Sequence, residues 1–533
     1  ERSGCEMARA GDILHPEQLA ANFADIPPPL TTDEALAEAA RCLDCFDAPS
    51  TRACPTAIDV PKFIRQILHR DEVGAARTIL DANVFGGSCA RACPTEVLCE
   101  GACVDGALVK EPIKIGRLQR FACDTASARG VRFFEPGPPT GRRVAVVGSG
   151  PAGLSCAHEL RRLGHDVVVF EARGIPGGLD TLGIAAYKIS TEFALSEIAM
   201  IREIDIDVRF NHGVSAGDVA GLLGEYDAVF LGIGLGRTAA LGIEGEGLPG
   251  VWEALDFIFQ THTKPFEGCE VGRHVLVIGA GNTAIDVATA AHRLGAETVT
   301  IAYRRGEAAM PAFAYEYGLA KADGVRFEWH ASPLRVVGRD GRAAGVEFVR
   351  TEATSESRRG EVRPIPGSEF IIEADLIVKA LGQEPLLDLL DALPGLAHNG
   401  GRVVVDLSTG ATTVPKLFAG GDCLRNGGEV VDAVADGKRA AHGIHTSLDE
   451  TIPRAHIVYC DRRMLLDKRK YGGWRDIQDT YEDYKASLGA WAEAEIIEFF
   501  ADDFGPDETA WPFRREAIED FFRSESQLLE SLD

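Results

Sequence analysis

Cysteines are concentrated in one part of the chain, where they form two separate groups. Eight of the 13 cysteines lie from Cys42 to Cys123, and seven of these eight are in the runs CLDCFDAPSTRACP and CARACPTEVLCEGAC. The Cys-x-x-Cys spacing and the repeated Cys-Pro pair are typical of iron–sulfur ligation, because thiolates are soft ligands for iron and proline turns the chain away from the metal. Zinc binding and inert thiols are the alternatives. Two well-separated groups favour a pair of iron–sulfur clusters over a zinc ion.

A glycine-rich loop in the run VAVVGSGPAG predicts a dinucleotide site. Val144–Val147 has the apolar pattern of a buried strand, and Leu154–Leu163 that of a helix. Gly148 allows a tight turn, Gly150 lets the backbone approach a pyrophosphate, and Gly153 lets helix and strand pack closely. Glu171, at the end of the next strand, is placed to bind a ribose. The alternative is a glycine turn without a ligand, but the complete pattern favours a nucleotide.

The run HVLVIGAGNTAIDVA repeats this pattern and predicts a second nucleotide site. Gly279, Gly281 and Ala284 occupy the corresponding positions. The following strand ends in Arg304 and Arg305 where an acid would bind an unmodified ribose. Two guanidinium groups suit a 2′-phosphate, so we expect NADPH rather than NADH. NADH binding, and simple solvation of the arginines at the surface, are the alternatives.

The composition excludes several classes of partner and activity. The formal net charge is −26 over 533 residues, which argues against nucleic acid or an anionic membrane as a partner. No apolar run approaches the roughly 18 residues of a membrane span. The cysteines are spaced for binding clusters and not for a disulfide framework, which favours a reducing cytoplasm. The chain contains neither a GxSxG nor an HExxH pattern, so nothing indicates a hydrolase.

The motifs RCLDC, ACPT, NVFGGSCARACPTEVLCEGAC and IGRLQRFA carry a resemblance to a known family. From about residue 30 to about residue 447, the chain resembles the N-terminal electron-input half of dihydropyrimidine dehydrogenase. It is most similar to the separate bacterial flavoprotein subunit of that enzyme, and similar also to the small subunit of glutamate synthase. The resemblance implies FAD, a nicotinamide cofactor and two [4Fe–4S] clusters.

The resemblance also implies how the cluster ligands are divided, position by position. One cluster would be bound by Cys42, Cys45 and Cys103, together with the residue at position 50. The other would be bound by a set that includes one amide side chain, namely Cys54, Cys93, Cys99 and Gln119. The amide is a ligand that spacing alone does not predict.

Ser50 departs from the family pattern, which usually has a cysteine at this position. A deprotonated serine oxygen could be a harder fourth ligand of the first cluster. Alternatively, that cluster is three-iron, labile or absent, or Cys5 or Cys89 replaces the missing thiolate. The sequence leaves these alternatives open.

For the flavin, the resemblance implies contacts beyond the first glycine loop. Asp422 in KLFAGGDC would bind a hydroxyl of the ribityl chain, and the helix predicted over Gly427–Ala441 would direct its N-terminus at the flavin. The expected FAD contacts are Gly148, Gly150, Pro151, Ala152, Gly153, Glu171, Gly178, Leu179, Gly421 and Asp422. The expected nicotinamide-cofactor contacts are Gly279, Gly281, Asn282, Thr283, Arg304 and Arg305.

These observations predict an α/β fold with two Rossmann-like domains of the glutathione-reductase type, the second inserted in the first. Residues 1–138 would form a helical iron–sulfur domain, residues 139–255 and 375–448 the FAD domain, and residues 256–374 the NAD(P)H domain. Residues 449–533, acidic and rich in aromatics, would add helices that dock on this chain or on a partner.

The expected function is that of an electron-input subunit. It would oxidise NAD(P)H and pass electrons through FAD and the clusters to a second subunit that holds the terminal substrate. A dihydropyrimidine-dehydrogenase-like complex is the first hypothesis. An input subunit of a glutamate-synthase-like or other reductase is the second, and a structural subunit that has lost one cluster is the third.

Overall fold

The computed structural model describes residues 14–26, 28–353, 362–425 and 427–448. The C-terminal segment 449–533, for which helices were predicted, lies outside these residues. Within them, no helix is both long and apolar enough to cross a membrane.

The N-terminal part is helical, as the sequence predicted. Thr31 and Glu34 form a capping box ahead of the helix that starts at Thr32, with each side chain bound to the backbone of the other. This pairing satisfies backbone N–H groups that the first helical turn leaves without partners. The helices are α1 (Pro16–Asn22), α2 (Thr32–Ala39), α3 (Pro49–Ala53), α4 (Val60–Leu68), α5 (Glu72–Ala82), α6 (Gly86–Ala92), α7 (Val104–Leu108) and α8 (Ile115–Ala128).

A first parallel sheet of five strands follows, with the order β16-β4-β1-β2-β3. Its strands are β1 (Arg143–Val147), β2 (Asp166–Phe170), β3 (Asp207–Arg209), β4 (Ala228–Leu231) and, from near the end of the chain, β16 (Leu417–Ala419). The helices α9 (Pro151–Arg162), α10 (Leu179–Leu182), α11 (Thr191–Arg202) and α12 (Ala216–Glu225) connect or flank them. Strand β1 pairs with β2 and β4 over almost its whole length, which is why it reads as a continuous apolar run.

A second parallel sheet has the order β5-β13-β6-β7-β8. Its strands are β5 (Val251–Glu253), β6 (His274–Ile278), β7 (Thr298–Tyr303), β8 (Arg326–Trp329) and β13 (Leu376–Lys379). The helices α13 (Ala254–Thr263), α14 (Asn282–Arg293) and α15 (Ala314–Ala322) accompany it.

A smaller antiparallel sheet extends the second fold. It contains β9 (Ala331–Arg339), β10 (Arg342–Ala353), β11 (Val362–Pro364) and β12 (Phe370–Glu373). Strand β10 pairs antiparallel with β11 through Thr351–Ala353. The chain then continues through α16 (Leu387–Asp391), β14 (His398–Asn399) and β15 (Arg402–Val403) to the long helix α17 (Val430–Leu448).

The positions of two strands show that the expected domain boundaries were wrong. β5 and β13 were assigned to the FAD domain by the boundaries at 255 and 375. Both belong to the second sheet, where β13 pairs with β5 on one side and β6 on the other. The second domain therefore starts before β5 and ends after β13. The error has a physical cause: both sheets need a buried apolar strand at this place, and an apolar run does not show which sheet it joins.

The helical domain and the first sheet share one hydrophobic core. Residues of α4, α5 and α8 belong to the same buried cluster as residues of β1, α9 and α17. Leu19 of helix α1 and Phe23, directly after this helix, belong in contrast to the core of the second sheet. The first nucleotide fold is therefore packed against the helices that carry the cysteines.

Candidate functional site

The three glycines of the first fingerprint meet three different requirements. Gly148 has a φ of +98°, and a Cβ there would lie 2.4 Å from the Gly232 oxygen. A Cβ on Gly153 would lie 1.9 Å from the Gly148 oxygen, whereas a Cβ on Gly150 would meet nothing within 4 Å. Gly148 and Gly153 are thus required by the fold itself. Gly150 leaves open space where the sequence predicts a pyrophosphate.

The N-terminus of α9 is available to an anion. The helix starts at Pro151 with Gly150 as its N-cap, and no side chain caps it. Its first N–H groups and the positive end of its dipole therefore face the space beside Gly150. Helix α17 packs closely against this end of α9, because a Cβ on Gly437 would lie 2.1 Å from the Ala152 oxygen. The expected contact Gly421 is also close, since its Cβ would lie 2.9 Å from the Ala152 Cβ.

Glu171 lies beside the same loop and helps to hold it. Its Oε2 accepts hydrogen bonds from the Ser149 N–H at 3.0 Å and from the Ser149 hydroxyl at 2.5 Å. Its Oε1 accepts from the Arg173 N–H at 2.8 Å. An ionised carboxylate has about four acceptor positions, so a ribose hydroxyl can still be added. The structure thus gives Glu171 a second role, in fixing the loop, that the sequence did not indicate.

A second glycine pair, Gly177 and Gly178, packs against the first glycine loop at Ser149 and Gly150. The Gly177 N–H donates to the Ser149 oxygen at 2.9 Å. A Cβ on Gly178, which has a φ of +57°, would lie 3.0 Å from the Gly150 Cα. Leu179 then begins the short helix α10. Residues that are 28 positions apart in sequence thus form one backbone-lined cleft.

Asp422 follows β16 and Gly421 and is largely buried. Burial raises the pKa of its carboxyl to about 6, although the Arg425 charge and the Gly428 N–H oppose this shift. The Gly421 N–H donates to Asp436 at 3.0 Å, which ties the turn to α17. The helix that was expected from Gly427 starts at Val430. The turn therefore brings Asp422 near the start of α17, as a flavin-binding turn requires.

The second nucleotide site repeats this geometry on the second sheet. Gly279 has a φ of +130° and packs against Ala380, whereas a Cβ on Gly281 would meet nothing within 4 Å. Helix α14 starts at Asn282 with no side-chain cap, and Thr283 follows in its first turn. The Asn282 side chain accepts a hydrogen bond from the Phe313 N–H at 3.0 Å, so it also ties down the loop before α15.

Arg304 and Arg305 come directly after β7, at the carboxyl edge of the second sheet. Arg304 is exposed and Arg305 is half-buried. Their backbone is fixed, since the Thr351 hydroxyl donates to the Arg304 oxygen at 2.6 Å and the His330 N–H donates to the Arg305 oxygen at 3.1 Å. The pair therefore stands where the acid of an NAD-type fingerprint would stand.

Lys188 connects the two nucleotide folds, and sequence reasoning missed it. Its Nζ lies 2.6 Å from both Asp286 on α14 and Glu316 on α15. Burial opposes the charge of Lys188, but the two carboxylates outweigh it and raise its pKa above the ordinary value. A lysine among the apolar residues of the run GIAAYKIS was the available signal, because a lysine is rarely buried without a partner.

The expected ligands of the first cluster converge on one cavity. Cys42, Cys45, Ser50 and Cys103 all line it. Ser50 is only 7% exposed. Burial raises the pKa of the Cys42 thiol, with the charges of Cys45 and Cys103 adding to the effect. The donor set of three sulfurs and one hydroxyl oxygen fits an iron–sulfur cluster with one harder ligand.

Among the expected ligands of the second cluster, Cys54 and Cys99 lie close enough to Cys93 for their charges to affect its pKa. A contact with Cys89 lowers the pKa of Cys93, but burial and the charges of Cys99 and Cys54 raise it overall. Gln119 is buried, and its Nε2 donates to the Gly86 oxygen at 2.7 Å. This bond orients the amide and leaves its oxygen as the atom able to bind iron.

Two further observations bear on metal binding. Cys89 does not line the first cavity; it is buried and accepts a hydrogen bond from the Asn83 amide at 3.2 Å. Cys5 lies outside the described residues. Within these residues, no three His, Cys, Asp or Glu side chains are close enough to share one metal ion. A cluster does not need such a group, because each of its thiolates binds a separate iron.

Two family models match this chain, one over the nucleotide-binding folds and one over the N-terminal helices. Residues 142–437 match the family described as pyridine nucleotide-disulphide oxidoreductase. Residues 19–131 match the model described as dihydropyrimidine dehydrogenase domain II, 4Fe-4S cluster. The second match supports iron–sulfur ligation over zinc for the cysteine groups.

Curated relatives match most of the chain. The small chain of glutamate synthase [NADPH] from Escherichia coli is 35% identical over 80% of this chain and 94% of its own length. The NAD-dependent dihydropyrimidine dehydrogenase subunit PreT of Salmonella typhimurium is 35% identical over 80% of this chain and 98% of its own length. The beta subunit of an NADP(+)-dependent formate dehydrogenase from Moorella thermoacetica is 34% identical over 74% of this chain and 59% of its own length.

The fold, the cofactors and the broad activity follow from these matches and from the geometry. The protein is an NAD(P)H-dependent oxidoreductase that uses FAD and iron–sulfur chemistry. The chain belongs to the pyridine nucleotide-disulphide oxidoreductase family and carries an N-terminal iron–sulfur domain of the dihydropyrimidine dehydrogenase type.

Proposed function

We propose that this chain is the electron-input subunit of a multisubunit complex, and that a second subunit carries the terminal substrate. A dihydropyrimidine-dehydrogenase-like complex is the preferred assignment. The observation that carries the proposal is the shared core of the cysteine-bearing helices and the first nucleotide fold. A shared core would keep the flavin and the clusters at a constant separation, on which the rate of electron transfer would depend.

The residues are proposed to act as follows. Gly150, the N-terminus of α9, Glu171 and Asp422 hold FAD, while Gly281, the N-terminus of α14 and Arg304 hold the nicotinamide cofactor. When bound, FAD supplies the chemistry that turns a hydride into single electrons. The chain orients both cofactors, and Lys188 keeps the two nucleotide folds together. No acid–base side chain is needed for hydride transfer.

The surface around the first cavity supports a partner at this place. Leu43 lines the cavity and is 55% exposed, and Leu108 and Val109, on and after α7, are 66% and 62% exposed. Helix α7 begins next to Cys103. Exposed apolar groups of this kind are typical of interaction surfaces. We infer that electrons leave the chain through the first cluster to a subunit that covers these residues.

A glutamate-synthase-like complex is the second candidate, because the relatives named for both enzymes are equally similar to this chain. Native mass spectrometry of the complex isolated from its source tests the proposal and separates the candidates by the partner's mass. A reconstituted complex that reduces a pyrimidine supports the first assignment. One that converts glutamine and 2-oxoglutarate supports the second.

A chain that is isolated alone, and shows no NAD(P)H-driven bleaching of flavin absorbance, would contradict both candidates. That result would favour a structural subunit that has lost a cluster.

A further inference from the structure

Three polar side chains from three separate elements meet in the interior between the segment Gly177–Leu179, here called the flavin loop, and the cysteine-bearing helices. Ser88 lies on α6, Asp180 on α10 and Glu197 on α11. The Ser88 Oγ is 3.1 Å from the Asp180 Oδ2 and 2.5 Å from the Glu197 Oε2. All three residues are buried. Asp180 directly follows Leu179 of the flavin loop, and Ser88 stands next to Cys89.

Counting protons in this group places one on Asp180. A serine hydroxyl has a single proton, so it can donate to only one of the two carboxyl groups. The Glu197 carboxyl also accepts from the backbone N–H groups of Gly87 at 2.7 Å and Ser88 at 3.2 Å. Glu197 therefore has the contacts of an ionised acceptor and takes the Ser88 proton. The 3.1 Å contact to Asp180 is then a hydrogen bond only if Asp180 carries its own proton.

The surroundings agree with a retained proton. Burial, and then the Glu197 charge, raise the pKa of Asp180 to about 8. Burial also raises the pKa of Glu197 to about 7, against the opposing effect of Ser88, the Gly87 N–H and the Arg91 charge. The other titratable groups facing Glu197 are two buried thiols, those of Cys89 on α6 and Cys123 on α8. Arg91 itself is paired with Asp124.

We propose that Asp180, Ser88 and Glu197 form a proton-holding triad that stores one proton at rest and takes up a second when negative charge reaches the neighbouring redox site. A hydride brings two electrons and a proton, whereas iron–sulfur clusters carry electrons only. A buried group beside the flavin loop that exchanges one proton can therefore handle the proton that the clusters do not carry.

The proton transfer balances without any co-reactant. The Asp180 Oδ1 is buried and has no hydrogen-bond partner among the described residues. A solvent proton that binds there releases the Oδ2 proton to Ser88, which passes its own proton to Glu197. Only O–H bonds break and form, no electron moves, and the triad changes from one carboxylic acid to two. Asp180 and Ser88 thus act through proton exchange and not by contact with substrate.

Infrared difference spectroscopy on the full chain tests the triad directly, because a protonated carboxyl has its own C=O band that shifts in D₂O. We expect such a band near neutral pH in the wild type, lost on raising the pH past about 8, the pKa of Asp180. Asp180→Asn should remove the Asp180 part of the band while keeping a donor to Ser88, and Glu197→Gln should retain that part. The carboxyls of Glu197 and Glu429, each with a pKa that burial raises to about 7, account for the rest of the band. A wild type without the band, or a band that is equally strong in Asp180→Asn, would overturn the proposal.

Glu159→Gln is the matched control. Glu159 is also buried, which raises its pKa, but the contact with His442 and the charges of Lys438 and Arg162 outweigh burial and lower the pKa to about 2, so the band should remain. A second measurement follows the midpoint potential of the flavin against pH. The slope should be smaller in Asp180→Asn than in Glu159→Gln and the wild type, and equal slopes in all three would contradict the coupling.

Discussion

The Gly178 backbone lies directly against Gly150: a Cβ on Gly178 would come within 3.0 Å of the Gly150 Cα, whereas a Cβ on Gly150 would meet no protein atom within 4 Å. The two glycines thus line one cleft, and only the Gly150 side of it is open. Since the uncapped N-terminus of α9 begins here, the open side is where a pyrophosphate would be bound.

Gly150→Ala should therefore weaken FAD binding without unfolding the chain. The added methyl group enters the ligand's space, and overpacking of this kind costs about 1–3 kcal/mol, or roughly a 5- to 150-fold loss of affinity. Acid extraction of flavin from the purified protein, together with a titration of the apoprotein with FAD, measures the effect. Unchanged FAD content would mean that the pyrophosphate does not approach Gly150.

Gly153→Ala is the contrasting variant in the same loop. Its Cβ would lie 1.9 Å from the Gly148 oxygen, so it should lower the thermal midpoint of the apoprotein itself. Gly150→Ala should leave that midpoint within about a degree. If the two variants behave alike, the loss of FAD reflects misfolding and not exclusion of the ligand.

Arg304→Ala should weaken NADPH binding more than NADH binding. Arg304 is exposed at the end of β7, and the loss of one charge-assisted contact to a 2′-phosphate costs about 1.5–3 kcal/mol. This corresponds to a roughly 10- to 150-fold rise in the Kd of NADPH. Flavin reduction in stopped flow, with each cofactor varied in turn, gives both constants.

The control is Arg326→Ala. Arg326 is exposed as well, but it lies at the opposite end of the adjacent strand β8, so neither cofactor should be affected. Equal losses for NADPH and NADH in Arg304→Ala would show that the arginine does not distinguish the 2′-phosphate.

The local parts of the site could be predicted from sequence because each depends on contacts within a short segment. The roles of Gly148 and Gly153 follow from a tight turn between a strand and a helix, and the structure confirms both. The convergence of Cys42, Cys45 and Ser50 with Cys103 was available only through the family resemblance, since Cys103 comes from a different segment.

Other parts were out of reach because they depend on pairings between distant segments. The partner strands of β13 could not be deduced from its apolar pattern, which fits either sheet. The contacts of Lys188 with Asp286 and Glu316 span about 100 residues or more, and so does the contact of Ser88 with Glu197. A single charged residue in an apolar run indicates burial with a partner but does not identify the partner.

The stability of the protein should fall as the pH rises from about 4 to about 8, and Asp180→Asn should reduce this fall. Asp180 has a pKa of about 8 in the fold against 3.8 as its ordinary value, so the folded state binds the proton more tightly than the unfolded state. The stabilisation that the Asp180 proton provides is complete below pH 3.8 and is lost as the pH rises through about 8. Between these values, the free energy of unfolding falls by at most about 1.4 kcal/mol per pH unit.

Thermal midpoints of the full chain at several pH values between 5 and 8 measure this effect. Glu159→Gln should parallel the wild type over this range, because the low pKa of Glu159 confines its own titration to acidic pH. If the Asp180→Asn curve also runs parallel to the wild type, the carboxyl of Asp180 is already ionised in the fold.

The last prediction concerns Ser50, which lines the same cavity as Cys42, Cys45 and Cys103. If these four residues bind the first cluster, an oxygen ligand in place of a thiolate suits iron less well and changes the potential. Ser50→Cys should therefore raise the iron and sulfide content toward that of two four-iron clusters and change the EPR spectrum of the reduced protein. Thr51→Cys, one residue further along α3, should change neither.

The second cluster serves as the internal reference, because Cys54, Cys93, Cys99 and Gln119 are untouched in both variants and its signal should persist. A Ser50→Cys protein with the iron content and spectrum of the wild type would mean that position 50 is not a ligand. Cys89→Ser then distinguishes the remaining possibilities. Cys89 lies outside the cavity and is bound to Asn83, so its loss should leave the first cluster intact; loss of that cluster would place Cys89 among its ligands.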